Sequence, residues 1–233
     1  AQTSLEWFEN ASRYLRQTPA QFQLNLMTRS KRITYENLKL RDPDLVAQSD
    51  EEFRVAQGAA LASDGVPAPP AFTPLQVGGL KLENRIVVSP MCQYSATEGL
   101  IDDWHLVHLG SRALGGAGLI ITEMTDVSRE GRITPGCAGL YTDEHAASWK
   151  RVVDFVHERS ASKIGIQLAH AGRKGSTSHD WESEDAPLAE GGWQTMGPDS
   201  KPFRADWPAP KEMDRADMDR VRDEFVAAAR RAA

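Results

Sequence analysis

The sequence predicts an α/β fold with a parallel sheet, and three observations carry that reading. Apolar, largely β-branched runs at Ile86–Val88, Leu119–Thr122 and Lys163–Ala169 are separated by segments of helical period, giving the order strand, helix, strand, helix, strand. In the second of those helices, Thr142 to Ala161, Trp149, Val152, Val153 and Val156 fall at i, i+3, i+4 and i+7, one face of a turn of 3.6 residues. Short units of this spacing imply right-handed crossovers, in a sheet that is either doubly wound or closing into a barrel.

Taken in order, residues 1–62 read as helical: Leu5, Phe8, Tyr14 and Leu15 in one segment, Phe22, Leu24, Leu26 and Met27 after Pro19, and a polar helix from Glu51 to Ala62. Residues 63–71 are rich in Pro, which neither continues a helix nor donates to a ladder, so a linker and a domain boundary are expected there. From Phe72 onward a second domain is expected, opening with a hairpin at Gly78-Gly79. Ile86–Val88 reads as a short, fully buried strand. The helix from Asp102 to Gly115 takes its apolar surface from Trp104, Leu106, Val107, Leu109 and Leu114.

Gly115-Gly116-Ala117-Gly118 follows a helix and precedes a strand, the reverse of a dinucleotide-binding fingerprint, so it is read as a helix stop. A long excursion from His170 to Met213 leads to a last helix near Asp214, with Met218, Val221, Phe225 and Ala228 or Ala229 on one face. Parallel strands at Ile86, Leu119 and Lys163 cannot close a barrel that needs about eight, so further strands are expected beyond Ala233.

With 40% apolar and 26% charged residues the chain is that of a globular protein, and a net charge of −6 gives no electrostatic footprint for nucleic acid. The one compact basic run, Arg29-Ser30-Lys31-Arg32, is too short to change that. No stretch approaches the ~18 apolar residues of a membrane span, and the N-terminus lacks a signal-peptide layout, so a cytoplasmic protein without membrane association is expected. Cys92 and Cys137 are too few for a disulfide framework and are read as reduced thiols.

Functional groups in such folds gather where strands end. Ser89-Pro-Met-Cys-Gln-Tyr94 follows the first strand, Glu123-Met-Thr125 the second, and Gln167 with His170-Ala-Gly-Arg173 lies at the third. Gln167 reads as a buried amide, which must use its donor and acceptor either on a ligand with an amide-like edge or on neighbouring backbone. His105 and His108 stand one helical turn apart without the Glu of a zinc motif, and packing or hydrogen bonding is the preferred reading.

Asn84-Arg-Ile-Val-Val-Ser-Pro-Met-Cys-Gln-Tyr94, Gly118-Leu-Ile-Ile-Thr-Glu123, Gly131-Arg-Ile133 and Ile164-Gly-Ile-Gln-Leu-Ala-His-Ala-Gly-Arg-Lys174 closely resemble the old yellow enzyme family, in its bacterial, thiol-containing branch. The resemblance implies that residues 72–233 are the first three βα units of a TIM (β/α)8 barrel, preceded by the N-terminal helical segment. It implies FMN, reduced by NAD(P)H, passing hydride from flavin N5 to an activated C=C of a small-molecule substrate. On matching positions it places Ser89, Pro90, Met91 and Cys92 along the flavin, a backbone contact at Met124, and Gln167 on the pyrimidine edge. Cys92 becomes a polarizable tuner of the flavin, with a small buried filler as the alternative, and Tyr94 a hydrogen-bond donor to the substrate carbonyl, with a packed aromatic as the alternative. Met124 departs from the small residue common there, which leaves the substrate open. The family's strand-four His pair, Tyr proton donor and flavin phosphate site are expected beyond Ala233, in a full-length protein expected to be a homo-oligomer.

Leu5-Glu-Trp-Phe-Glu9, Thr28 to Leu38 and Leu40-Arg-Asp-Pro43 resemble the C-terminal tail of the FAD-dependent monooxygenase half of aromatic acyl-CoA hydroxylase/oxidoreductases, of the salicylyl-CoA or 2-aminobenzoyl-CoA type. That implies a fusion whose FAD fingerprint precedes Ala1 and whose substrate is a conjugated carbonyl or an aromatic acyl-CoA. Two other readings stand beside it: a catalytically incomplete half-barrel acting as a binding or association module, and another TIM-barrel class, for which no glycine-rich phosphate loop is evident.

Overall fold

The computed structural model describes residues 42–57, 65, 68, 70–179, 181–182 and 186–233. The chain divides into two compact units, Ala1–Thr73 and Pro74–Ala233. In the first, helix α1 spans Pro43–Gln57. It begins earlier than the Glu51 start read from the sequence because Asp42 accepts the Leu45 N–H at 3.1 Å and Pro43 occupies a first-turn position that needs no donor. The helices expected before Arg41, and the segments resembling a monooxygenase tail up to that point, lie outside the described residues. So does most of the Pro-rich stretch, of which Pro70–Phe72 forms a 3-10 turn.

The second unit opens with the expected hairpin, β1 (Leu75–Val77) against β2 (Leu80–Leu82), turning at Gly78 with φ +55°. Then follow β3 (Val87–Val88), α2 (Asp103–Leu114), β4 (Leu119–Asp126), β5 (Ala138–Gly139), α3 (Asp143–Arg159) and β6 (Lys163–Ala169). Beyond an excursion holding the two-residue parallel strands β7 (Met196–Gly197) and β8 (Lys211–Glu212), α4 runs Arg215–Ala232. Central strand β4 is parallel to β3 through Val87↔Leu119 and to β6 through Ile120↔Ile164 and Met124↔Gln167. β5 adds to the end of β4 at Thr125 and Asp126.

Each helix starts where a side chain answers its orphan amides: Asp102 accepts from Trp104 N–H at 2.9 Å, Thr142 from His145 N–H at 3.3 Å, and Asp214 from Asp217 N–H at 2.9 Å. α2 stops at Gly115, and Gly116 takes φ +88°, a left-handed conformation open to glycine. Gly118 is required for a different reason. A Cβ there would sit 2.2 Å from the Asn84 carbonyl oxygen, and its own N–H donates to Ile86 at 2.9 Å, so β4 enters directly against the approach to β3.

The core packs Leu109 and Ala113 of α2, Ile120 of β4, Trp149, Val152 and Val156 of α3, and Ala228 of α4. The Trp149 indole N–H is satisfied by the Gly139 carbonyl at 3.1 Å. Three sequence expectations differ from the structure. β3 is not fully buried: Ile86 and Val87 are exposed, since β4 is its one partner strand among the described residues. In α2 the buried strip is His105, Leu109, Gly110 and Ala113, while Trp104, Val107 and Leu114 point to solvent. Along α4, Met218 is likewise exposed and Ala228 buried. No described helix is long and apolar enough to cross a membrane.

Asp126, at the end of β4, is 0% exposed, and neither of its carboxyl oxygens has a well-aligned hydrogen-bond partner among the described residues. Burial lifts its pKa from 3.8 to about 9, against a smaller opposing pull from the Arg132 charge and the Cys137 thiol. Because the folded pKa is the higher one, this acid's contribution is complete below about pH 4 and is lost as the pH rises from there to about 9. Urea unfolding between pH 5 and pH 8 is therefore expected to lose up to about 1.4 kcal/mol per pH unit from this group. Asp126→Asn is expected to flatten that slope, and equal slopes for the two proteins would contradict the assignment.

Candidate functional site

The strand ends converge as the parallel sheet requires. Met124 of β4 stands opposite Gln167 of β6 in register, and the Cys92 thiol, in the loop after β3, hydrogen-bonds both the Met124 backbone and the Tyr94 hydroxyl. Cys92, Tyr94 and Met124 are half-buried, as is Pro90, while Ser89 and Met91 are exposed.

Glu123 holds this arrangement. Only 4% exposed, its carboxylate accepts the Gln93 N–H at 2.9 Å through one oxygen and lies 3.1 Å from His105 Nε2 through the other. The Asp102 N–H donates to His105 Nδ1 at 3.3 Å, so in the neutral ring the proton sits on Nε2, facing Glu123, although off the axis of a well-aligned hydrogen bond. Gln93 extends the chain of contacts: its amide donates to the Met91 carbonyl at 2.9 Å and accepts the Trp104 indole N–H at 3.3 Å. Cys92 is thus flanked on both sides by fixed backbone.

Tyr94 adopts φ +50°, rare for a residue with a side chain. The Ala96 N–H bonds the Gly136 carbonyl at 3.0 Å, and a Cβ on Gly136 would come within 2.3 Å of the Tyr94 carbonyl oxygen. A bare glycine is what lets the Tyr94 loop lie there.

Gln167 is a correction. Expected to be buried, it is exposed, and its side-chain amide makes no hydrogen bond among the described residues; its backbone N–H reaches the Thr122 hydroxyl at 3.4 Å. The reason is that among the described residues β4 is the one strand paired with β6 there, so its far edge is uncovered by them. Glu123 through Asp126 belong to β4 itself rather than following it. His105 faces Glu123, and Arg173 pairs with Asp199 at 2.9 Å and donates to the Lys201 carbonyl at 2.9 Å, tying down the excursion. Among the described residues no cluster of His, Cys, Asp and Glu is arranged to hold a metal ion. Glu123, His105 and Gln93 were not picked out as site residues from the sequence, although a Glu inside the apolar run Leu-Ile-Ile-Thr is the same signal that singled out Gln167. Burial, and next the charge of Glu123, push the Cys92 thiol pKa up, which keeps it a neutral, polarizable sulfur at physiological pH.

Residues 70–233 match the NADH:flavin oxidoreductase / NADH oxidase family. An NADH:flavin oxidoreductase of Gibberella zeae is 38% identical over 194 residues, covering 81% of this chain and 47% of its own. An NADPH dehydrogenase of Geobacillus thermodenitrificans is 40% identical over 163 residues, covering 69% of this chain and 44% of its own. Among solved structures, morphinone reductase in complex with tetrahydroNAD superposes with a TM-score of 0.58 at 28% identity, over 71% of this chain and 46% of its own. An Old Yellow Enzyme from Pichia gives a TM-score of 0.60 at 24% identity over 70% of this chain and 42% of its own, a likeness of fold. The chain spans less than half the length of these relatives.

Two outcomes are expected of this site. Glu123→Gln puts an NH₂ where the Gln93 N–H donates or where His105 Nε2–H faces it, and is expected to cost about 1–3 kcal/mol in urea unfolding; an unchanged midpoint would mean that the carboxylate does not organise the loop. Iodoacetamide should modify Cys92 more slowly than a free cysteine at pH 8, with a rate still climbing above the ordinary thiol pKa of about 8.5, as followed by mass spectrometry of the Cys92 peptide.

Proposed function

The chain belongs to the NADH:flavin oxidoreductase / NADH oxidase family, and on that premise we propose that the β3, β4 and β6 strand ends form one wall of an FMN site in an NAD(P)H-dependent oxidoreductase. The observation that carries the proposal is the uncommitted Gln167 amide standing in register with Met124. A uracil-like ring edge needs an acceptor and a donor side by side, and an exposed amide at a strand end offers both. The donor set fits in a second respect: Met91 and Cys92 bring polarizable sulfur to the same mouth, and flat conjugated rings pack well on sulfur.

Bound FMN would supply hydride transfer from NADH or NADPH to an activated C=C. The chain's own residues take the remaining roles. Ser89, Pro90, Met91 and Cys92 lie along the ring system, the Met124 backbone and the Gln167 amide hold its polar edge, and the neutral Cys92 thiol modulates its potential. Tyr94 directs its hydroxyl to a substrate carbonyl, exchanging its contact with the Cys92 thiol for that hydrogen bond. The substrate class we assign is a conjugated carbonyl or an aromatic acyl-CoA, handled by the reductase module of an aromatic acyl-CoA hydroxylase/oxidoreductase that carries FAD in its other half. Support for this finer reading comes from the segments Leu5–Glu9 and Thr28–Leu38. A second reading, an association module that self-associates or binds a partner half, is favoured by the open edge of β6.

The test is spectroscopic and kinetic. Protein purified from the full reading frame should show flavin absorbance and oxidise NADH or NADPH anaerobically with an enone or aromatic acyl-CoA acceptor, whereas the 233-residue chain should retain FMN weakly. Gln167→Leu in the full protein should weaken FMN binding roughly tenfold, the worth of two hydrogen bonds at about 0.5–1.5 kcal/mol each. A full-length protein that stays colourless with added FMN and FAD would sink the flavin reading.

A further inference from the structure

We propose that His179 and Trp181, on the excursion after β6, form with Tyr94 an aromatic subsite that stacks an uncharged planar ring of the substrate and selects flat rings over puckered ones. The inference rests on the proposed function in one respect, that Tyr94 faces the substrate.

Trp181 is 66% exposed, an unusual setting for the largest apolar side chain, yet it is not loosely held. Its indole stacks on the His179 imidazole with ring centroids 4.7 Å apart and planes 7° from parallel. His179 is fixed in turn: its Nδ1 lies 3.3 Å from Glu182 Oε2, and the Glu182 N–H donates to its carbonyl at 2.9 Å. Both rings stand with centroids 6.2 Å from that of Tyr94, at 64° for His179 and 57° for Trp181. A tilted trio of this kind presents π faces and edges from different directions, as aromatic recognition prefers.

The floor is Gly136. A Cβ at that position would lie 2.7 Å from His179 Nε2 and 2.3 Å from the Tyr94 carbonyl oxygen, so the excursion and the loop after β3 meet over a residue without a side chain. Between them opens a groove of about 340 Å³, lined by Tyr94, Pro135, Gly136, His179 and Trp181 and flanked by Glu98 and Glu182. The groove is shallow and open to solvent, so a planar ring would rest against its aromatic wall rather than be enclosed. No Lys or Arg lines it, and its carboxylates are committed, Glu98 to Arg129 at 2.8 Å and Glu182 to His179 at 3.3 Å, so it offers no uncommitted charge to an ionic ligand and the chemistry selected is an aromatic ring bearing a neutral group such as an amide, aldehyde or thioester.

Benzamide and cyclohexanecarboxamide, which share the polar handle and differ in the ring, provide the test. Their affinities for the chain would be measured by saturation-transfer NMR, with and without added FMN. Wild type should prefer benzamide roughly three- to tenfold, the range of a good aromatic contact. Trp181→Leu and His179→Leu should bring the ratio near one, Trp181→Phe should retain most of it, and thermal unfolding of the exposed-site variant Trp181→Leu should be unchanged. Equal affinity of wild type for the two amides, no saturable binding of benzamide, or a preference that survives Trp181→Leu would overturn the proposal. Its failure is separable from that of the flavin reading: a full-length protein that retains FMN while showing no benzamide preference sinks the subsite alone, and one that discriminates benzamide but ignores FMN keeps the subsite.

Discussion

A carboxyl buried at the mouth of a parallel sheet is either answered by donors or driven towards its neutral form, as Asp126 is, because an unpaired buried charge costs several kcal/mol. Glu123 meets that demand from two other elements, the loop after β3 through the Gln93 N–H and helix α2 through His105. Strand β4, the loop and α2 are thereby registered to one another by a single side chain. Gln93 carries the constraint outward to Met91 and Trp104, so the backbone around Cys92 cannot shift without breaking contacts in the interior.

What the sequence disclosed follows from how local each signal is. Helix starts were legible because Asp102, Thr142 and Asp214 act on amides within three residues. The strands around Ile120 and Ile164 were legible because apolar runs bounded by turns have few alternatives. Burial was not: Ile86–Val88 and Gln167 were read as interior from their own composition, whereas their exposure depends on what covers the far side of β3 and β6. Glu123 and Gln167 gave the same signal, a polar residue in an apolar strand, and nothing local distinguishes the one answered by the protein from the one left open. The glycines at 118 and 136 were still less legible, since what they accommodate is Asn84 and Tyr94, far off in sequence.

Tyr94 shows how the site tolerates strain. A left-handed backbone costs a residue with a Cβ about 1–2 kcal/mol, and such conformations persist where surrounding structure over-determines them. Here the surroundings are the Ala96 to Gly136 hydrogen bond, the bare α-carbon of Gly136, and the link from the Tyr94 hydroxyl to Cys92. The phenol is therefore delivered to the mouth of the strands by the fold.

A consistent division of labour follows. The groups that position others, Glu123 and His105, are buried, with Glu123 answered by the Gln93 N–H, whereas Ser89, Met91, Gln167 and Trp181 are exposed. A wall organised this way has met its ordering cost during folding, so a ligand need not immobilise the loop after β3 in order to bind. Affinity then depends on how well the ligand uses the few uncommitted groups, above all the Gln167 amide. Changes to the positioning residues should accordingly act on stability and geometry together, and changes to the exposed residues on recognition alone.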